Sequence, residues 1–287
     1  MIPTLRARIM LAVATSVALV TALSGCTALG SFIPHTTSAS AKPAVGDCWT
    51  STVEAAAKAA AWTAGGAVAC ASRHQLSTYA VATVKSSAAT WQTSDGDLDN
   101  EIASDASEAC NKKFRGEFTG APLGSRLTVF FFVAPEDQWK KGARWVRCDV
   151  GVFKTGSLYT RPDFASLPPD ISTLQKQLES TPDLFADCVT TTDPSGQTGP
   201  LDDPDAVIAD CTQHYQWRFE SAFTIPSQTG DPYPDDDALT QVTQSECGDA
   251  ADEDGSDWVA YVPSRGDWVS GNRSGTCWFY ADTIPET

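Results

Sequence analysis

The chain has 287 residues, with 36 Asp and Glu against 20 Lys and Arg, and its formal net charge at pH 7 is −16. An acidic surface repels phosphate groups, so the composition argues against nucleic-acid binding and against a basic patch for anionic lipids. The length exceeds that of a disulfide mini-protein and is typical of two domains.

The N-terminal segment, residues 1–25, is predicted to be a signal peptide. Arg6 and Arg8 precede an apolar stretch over 9–23, which is shorter than the roughly 20 residues of a membrane-spanning helix. The stretch ends in LSGC, which resembles the lipobox of bacterial lipoproteins and implies that Cys26 is lipidated. An ordinary secretory signal with an incidental cysteine is the alternative interpretation.

Residues 26–44 are small, polar and proline-containing, which is typical of a tether between an anchor and a folded domain. Without residues 1–25 the chain has 18 basic and 36 acidic residues, a net charge of −18. Attachment to the membrane would then depend on the lipid at Cys26, because paired acyl chains bury enough apolar surface for stable binding. We expect a lipid-anchored protein on the extracytoplasmic face of the cell membrane.

The remaining cysteines form two sets of four with similar spacing. Successive gaps are 22, 40 and 38 residues in the first set and 23, 36 and 30 in the second. This correspondence indicates an internal duplication, and in an oxidising compartment it predicts disulfides. Zinc is not expected, because no C-x2-C or H-x3-H pair occurs. The eight residues are Cys48, Cys70, Cys110, Cys148, Cys188, Cys211, Cys247 and Cys277.

Each set of four allows three pairings, and spacing alone does not select one. We expect the first cysteine to pair with the second, because both are predicted on neighbouring strands. The third is predicted on a helix that packs over the strand carrying the fourth. Each bond would stabilise the fold by about 3 kcal/mol. The predicted pairs are Cys48–Cys70, Cys110–Cys148, Cys188–Cys211 and Cys247–Cys277.

The first repeat is predicted over residues 45–154, and it opens with VGDCW. A half-buried strand is expected within 67–84. Apolar residues recur at three- and four-residue steps over 97–118, which predicts an amphipathic helix. The apolar runs at 127–135 and 144–153 are predicted to be strands.

The second repeat, residues 185–287, follows the same order. Its predicted strand, helix and two further strands lie at 207–226, 236–247, 258–263 and 275–282. Residues 155–184 between the repeats are predicted to form a linker with a short helix over 171–180. The predicted fold class is α+β: two tandem, small, disulfide-stapled repeats, each a short antiparallel sheet with one main helix.

The pattern W-x2-G-x-R-x3-C occurs once in each repeat. The Trp is predicted to cap the core at a turn, the Gly to supply a permissive backbone, and the Cys to lock strand to helix. The Arg is expected to pair with a carboxylate or a backbone carbonyl, and both arginines are candidate binding residues. The matching positions are Trp139, Gly142, Arg144 and Cys148, then Trp268, Gly271, Arg273 and Cys277.

Two histidines, His74 and His214, occupy matching places after the second cysteine of each repeat. They are candidate binding residues, as ligands or partner contacts. The alternative, which we favour, is a structural histidine hydrogen-bonded at the start of a strand. No catalytic residues, metal site or cofactor are predicted: hydrolase, metalloprotease and phosphate-loop motifs are absent, and an acidic loop over 249–261 lacks both end ligands of a calcium loop.

The combination of GDCW, V-x-C-x3-H, a helical cysteine and P-x3-W-x2-G-x-R-x3-C resembles the actinobacterial septum-formation domain. The resemblance covers about residues 45–154 and, more loosely, 185–282, where GDCW becomes ADCV and the histidine follows its cysteine after two residues. It implies an envelope location and a link with cell division or envelope biogenesis, with no enzymatic activity attached.

The expected function is therefore that of a non-enzymatic binding or scaffold protein of the cell envelope. Its expected partners are the membrane, through Cys26, and an envelope or division protein, but not nucleic acid. The alternatives are a cell-wall hydrolase that uses acidic residues and a solute-binding lipoprotein.

Overall fold

A computed structural model describes residues 42–58, 67–86, 91–92, 98–121, 125–158, 163–193, 195, 197–227, 231–269 and 271–283. These residues form two antiparallel sheets accompanied by helices, which confirms the α+β class. The predicted signal peptide, Cys26 and the tether up to residue 41 lie outside the described residues. Within the described ranges, no helix combines the length and the apolar character needed to cross a bilayer.

The first sheet has five strands in the order β2-β1-β3-β5-β4. They are β1 (Cys48–Trp49), β2 (Ala67–Val68), β3 (Leu76–Thr83), β4 (Leu127–Val133) and β5 (Trp145–Val152). The strand predicted within 67–84 is confirmed as β3, but Ala67–Val68 form a separate strand. Because β2 and β3 pair with opposite edges of β1, the chain must turn between them.

Three helices accompany this sheet: α1 (Val53–Lys58), α2 (Asn100–Glu117) and α3 (Glu136–Trp139). The main helix, α2, confirms the predicted amphipathic segment, and it buries Ile102, Ala106 and Cys110. Its N-terminus is capped by Asp99, whose carboxylate accepts hydrogen bonds from two backbone N–H groups of the first turn. The helix therefore lies on the sheet with its apolar face inward.

The second sheet has six strands in the order β10-β11-β9-β7-β8-β6. They are β6 (Gly156–Ser157), β7 (Cys188–Thr190), β8 (Val207–Ala209), β9 (Tyr215–Thr224), β10 (Trp258–Tyr261) and β11 (Ser274–Thr283). The predicted strand at 207–226 is likewise divided, into β8 and β9. Apart from β6, the order β8-β7-β9-β11-β10 repeats the order of the first sheet, which supports the predicted duplication.

The helix predicted at 236–247 extends further than expected. It begins as α5 (Asp236–Thr243), passes through a π-helical turn (Gln244–Gly248) and continues as α6 (Asp249–Asp254). No residue breaks the helix before Gly255, which ends it in the left-handed conformation with a φ of 70°. A short helix, α7 (Arg265–Val269), precedes the last strand.

The segment predicted as a linker, residues 155–184, is folded against both sheets. Its first part, β6, pairs with β8 of the second sheet. Its helix, α4 (Ile171–Ser180), has the predicted bounds, and Leu174 and Leu178 are buried in the core of the first sheet. The two halves of the chain are therefore joined through packed structure.

Candidate functional site

The duplicated Trp-Gly-Arg-Cys pattern forms the same stacked unit in both halves. The Arg144 guanidinium lies 4.0 Å from the centre of the Trp139 ring and donates a 2.9 Å hydrogen bond to the Trp139 carbonyl. Between them, Gly142 has a φ of 94°, a conformation that costs other residues strain. The ring is 3% exposed and caps the core, as predicted.

The second copy reproduces this geometry. The Arg273 guanidinium lies 3.7 Å from the centre of the Trp268 ring and donates a 2.6 Å hydrogen bond to its carbonyl, while Gly271 has a φ of 92°. In the described part of the chain, neither arginine pairs with a carboxylate. The carbonyl alternative is therefore the observed one, and in both halves the pattern shapes a turn.

The disulfide pairs are those predicted from the sequence. Cys48 pairs with Cys70, Cys110 with Cys148, Cys188 with Cys211, and Cys247 with Cys277. The second bond fixes α2 to β5, and the fourth fixes the π-helical turn to β11. None of these eight thiols is left free to act as a nucleophile or a metal ligand.

The two matching histidines lie in different environments. His74 is fully buried; its Nδ1–H donates to the Ser72 carbonyl at 2.9 Å, and its own carbonyl accepts from Leu167. These are the contacts of a structural histidine. His214 is exposed, so the two positions do not form a shared ligand site.

A buried ion pair that the sequence did not predict lies in the first sheet. The Arg147 Nη2 and Asp149 Oδ2 atoms are 3.0 Å apart, and both side chains are 0% exposed. The guanidinium is stacked between two rings, 3.9 Å from the centre of the Trp49 ring and 4.2 Å from that of Phe132. Thr78 donates to Asp149 Oδ1 at 2.8 Å.

Burial controls the ionisation of this pair. It raises the pKa of Asp149 to about 6, against the opposing effect of Arg147, and it lowers the pKa of Arg147. The second sheet has Thr276 and Trp278 at the matching positions, so the pair belongs to the first half only. The sequence does contain a signal for this pair: Arg147 and Asp149 are two residues apart in an otherwise apolar strand, so both side chains lie on the same face of that strand.

A cavity of about 700 Å³ lies beside the first sheet, between β3 and α2. Its lining combines small residues with charged side chains of both signs. The charged residues are Lys85, Asp105, Glu108, Lys112, Lys113 and Glu117. Within the described ranges, no group of His, Cys, Asp and Glu side chains is arranged to hold a metal ion.

The fold and these sites define a small α+β protein with paired, disulfide-stapled sheets. A family model described as septum formation matches residues 45–277. The chain belongs to this septum-formation family, which confirms the resemblance predicted from the sequence. The matched region also includes residues 155–184, the segment between the two predicted repeats. Comparison with curated proteins and with solved structures finds no match.

Proposed function

We propose that this chain is a lipid-anchored, extracytoplasmic protein of the cell envelope that acts as a non-enzymatic binding or scaffold module in septum formation. The observation that carries the proposal is the family match over residues 45–277. The proposed partners are the membrane, through a lipid on Cys26, and an envelope or division protein.

The four disulfides support an extracytoplasmic location, because such bonds persist in oxidising compartments. The sequence before the folded region supports the anchor, since Cys26 lies three residues after an apolar stretch (9–23) that is too short to span a bilayer. The net charge of −18 after residue 25 favours a protein partner over nucleic acid.

The placement of perturbed carboxylates favours binding over hydrolysis. A general acid must reach its substrate. Asp149 has a pKa raised to about 6, but its side chain on β5 is 0% exposed and cannot contact a substrate. Burial also raises the pKa of Asp187 to about 6, with Arg126 opposing it. That carboxylate lies at the junction between the halves, away from the cavity between β3 and α2.

The test is imaging of the protein in its dividing native host, with a tag that fluoresces outside the membrane. We expect enrichment at division sites that is lost in a Cys26→Ala variant, because the lipid could no longer be attached. Thr27→Ala, which alters the next residue and keeps the cysteine, is the matched control and should localise normally. A uniform peripheral signal would contradict the septal role, and unchanged localisation of Cys26→Ala would contradict the anchor.

A further inference from the structure

Strand β3 has an edge that is only partly paired. On one side it pairs with β5 along its whole length. On the other side β1 pairs only with its first two residues. The last contacts are at Thr78, whose N–H donates to the Asp47 carbonyl and whose carbonyl accepts from the Gly46 N–H, both at 2.8 Å. Beyond Thr78, no described strand covers this side of β3.

The backbone groups of Val81 and Thr83 point toward this uncovered side. The Val84 N–H donates to the Arg144 carbonyl at 2.8 Å, so Val84 faces β5. Because successive residues of an antiparallel strand alternate in direction, the N–H and C=O groups of Val81 and Thr83 face away from β5. They form a short template for another strand.

The cavity of about 700 Å³ lies directly beside this edge. It is lined by residues 81–83 of β3 and by the outward face of α2. The small residues Ala109 and Gly116 on that face leave space between helix and strand. An exposed strand edge and a parallel groove are the two elements that peptide recognition by strand addition requires.

The helix and the strand run in opposite directions. The Tyr79 hydroxyl near the middle of β3 donates to the carbonyl of Cys110, in the C-terminal half of α2. Ser86, just past the end of β3, donates to Glu101 in the first turn of α2. A strand added antiparallel to β3, as β1 is, would therefore run parallel to α2.

The charges along the groove are unevenly distributed. None of its six charged side chains takes part in an ion pair among the described residues. Toward the end of β3 the groove has two carboxylates and one lysine, which are Asp105, Glu108 and Lys85. Toward the start of β3 it has two lysines and one carboxylate, which are Lys112, Lys113 and Glu117.

We propose that this groove binds an extended peptide segment of a protein partner, which adds to β3 as an antiparallel strand. The partner's N-terminal part meets the acidic end of the groove, so it is basic; its C-terminal part meets Lys112 and Lys113, so it is acidic. The segment has no proline where Val81 and Thr83 pair with it, because proline lacks the N–H that pairing requires. This inference rests on the proposed binding role, but not on the lipid anchor or on septal localisation.

The second half provides an internal control. There Ile225 donates to the Arg273 carbonyl, so Ala222 and Thr224 of β9 face outward as Val81 and Thr83 do in β3. When the helices are aligned on Cys110 and Cys247, Asp249 and Ala250 replace the two lysines of the groove. The basic end of the groove is therefore specific to the first half.

The test selects a displayed library of random nonapeptides on the full chain, purified in detergent. The chosen peptides are then measured against Thr83→Pro, which removes an outward N–H that β5 does not use. We expect a basic-to-acidic order in the peptides and binding to Thr83→Pro that is weaker by about tenfold. Thr224→Pro, the matched control in the second half, should bind as wild type does.

A second variant addresses the charges without altering the strand. Lys112 and Lys113 are exposed on α2, so Lys112→Glu with Lys113→Glu should leave the fold intact and weaken the same peptides by about tenfold. An unenriched library, or peptides that bind all variants equally, would overturn the proposal. Since the measurement is made on purified protein, such a result would leave the imaging test of the proposed function unaffected.

Discussion

At the scale of single residues, the Arg147–Asp149 pair places two opposite charges in the interior of the first sheet. Two fully buried charges lose most of their hydration, and the stacked rings of Trp49 and Phe132 return only part of that cost. Breaking such a pair is destabilising because the remaining charge stays buried without a partner. The raised pKa of Asp149 makes this cost dependent on pH.

Stability should depend on pH through Asp149 with a definite sign. Between pH values of about 4 and 6 the folded protein holds a proton at Asp149 that the unfolded chain has lost, so this group's contribution to the free energy of unfolding falls as pH rises. The decrease is at most about 1.4 kcal/mol per pH unit. Urea unfolding at several pH values should show this component in wild type and not in Asp149→Asn.

Asp187 also contributes to the dependence of the free energy of unfolding on pH, because its pKa is likewise raised to about 6. The informative quantity is therefore the difference between wild type and variant, with Asp137→Asn at an exposed position as control. Parallel pH profiles for wild type and Asp149→Asn would contradict the prediction.

Among the secondary-structure elements, the main helices of the two halves depend differently on their disulfides. Helix α2 buries three residues against the sheet and receives a hydrogen bond from Tyr79. Helix α5 has no fully buried residue, and the adjoining Cys247 is bonded to β11. Packing therefore retains the first helix, whereas the disulfide contributes most to retaining the second.

Removal of each helix disulfide should expose this difference. Replacing both cysteines of either pair by Ala should lower the free energy of unfolding by about 3 kcal/mol, because the unfolded chain gains conformational freedom. The backbone amides of α2 should nevertheless stay protected from hydrogen exchange in Cys110→Ala/Cys148→Ala, because its apolar face remains buried. Those of α5 should lose protection in Cys247→Ala/Cys277→Ala, as measured by mass spectrometry; equal protection of α2 and α5 would refute the distinction.

Across the molecule, the two halves differ in charge, and Arg126 lies where they meet. Residues 181–287 contain 21 Asp and Glu but only three Arg and no Lys, whereas residues 26–180 contain 15 of each sign. At the junction Arg126 is 9% exposed and donates to the carbonyls of Phe153 and Leu184. Its side chain thus connects the end of β5 to the start of the second half.

Arg126→Met should weaken this junction. The substitution removes the donor of two part-buried hydrogen bonds, at a cost of about 1 kcal/mol each, and it removes the positive charge that faces Asp187. We expect wild type to unfold in one urea transition and the variant in two, monitored by tryptophan fluorescence and circular dichroism. Arg115→Met, at an exposed position of α2, is the control, and a single unshifted transition in Arg126→Met would contradict the coupling.

Features that depend on residues close together in the chain could be predicted before the structure was known. The amphipathic period of α2, the bounds of α4 and the turn at Gly142 each follow from local conformational preference and from apolar spacing. The disulfide pairs were also predicted, from the expected placement of the first two cysteines of each set on adjacent strands and of the third on a helix over the fourth. Of the two contacts expected for Arg144 and Arg273, a carboxylate or a backbone carbonyl, the structure shows the carbonyl.

Other features required the three-dimensional arrangement. The division of residues 67–84 into two strands, the opposite exposure of His74 and His214, and the burial of Arg147 beside Asp149 depend on which distant segments meet. The groove between β3 and α2 arises because β1 is too short to cover its neighbour, and the length of pairing is set by the tertiary path of the chain. Periodicity specifies which face of an element is apolar, whereas only the assembled fold specifies what covers that face and what it leaves open.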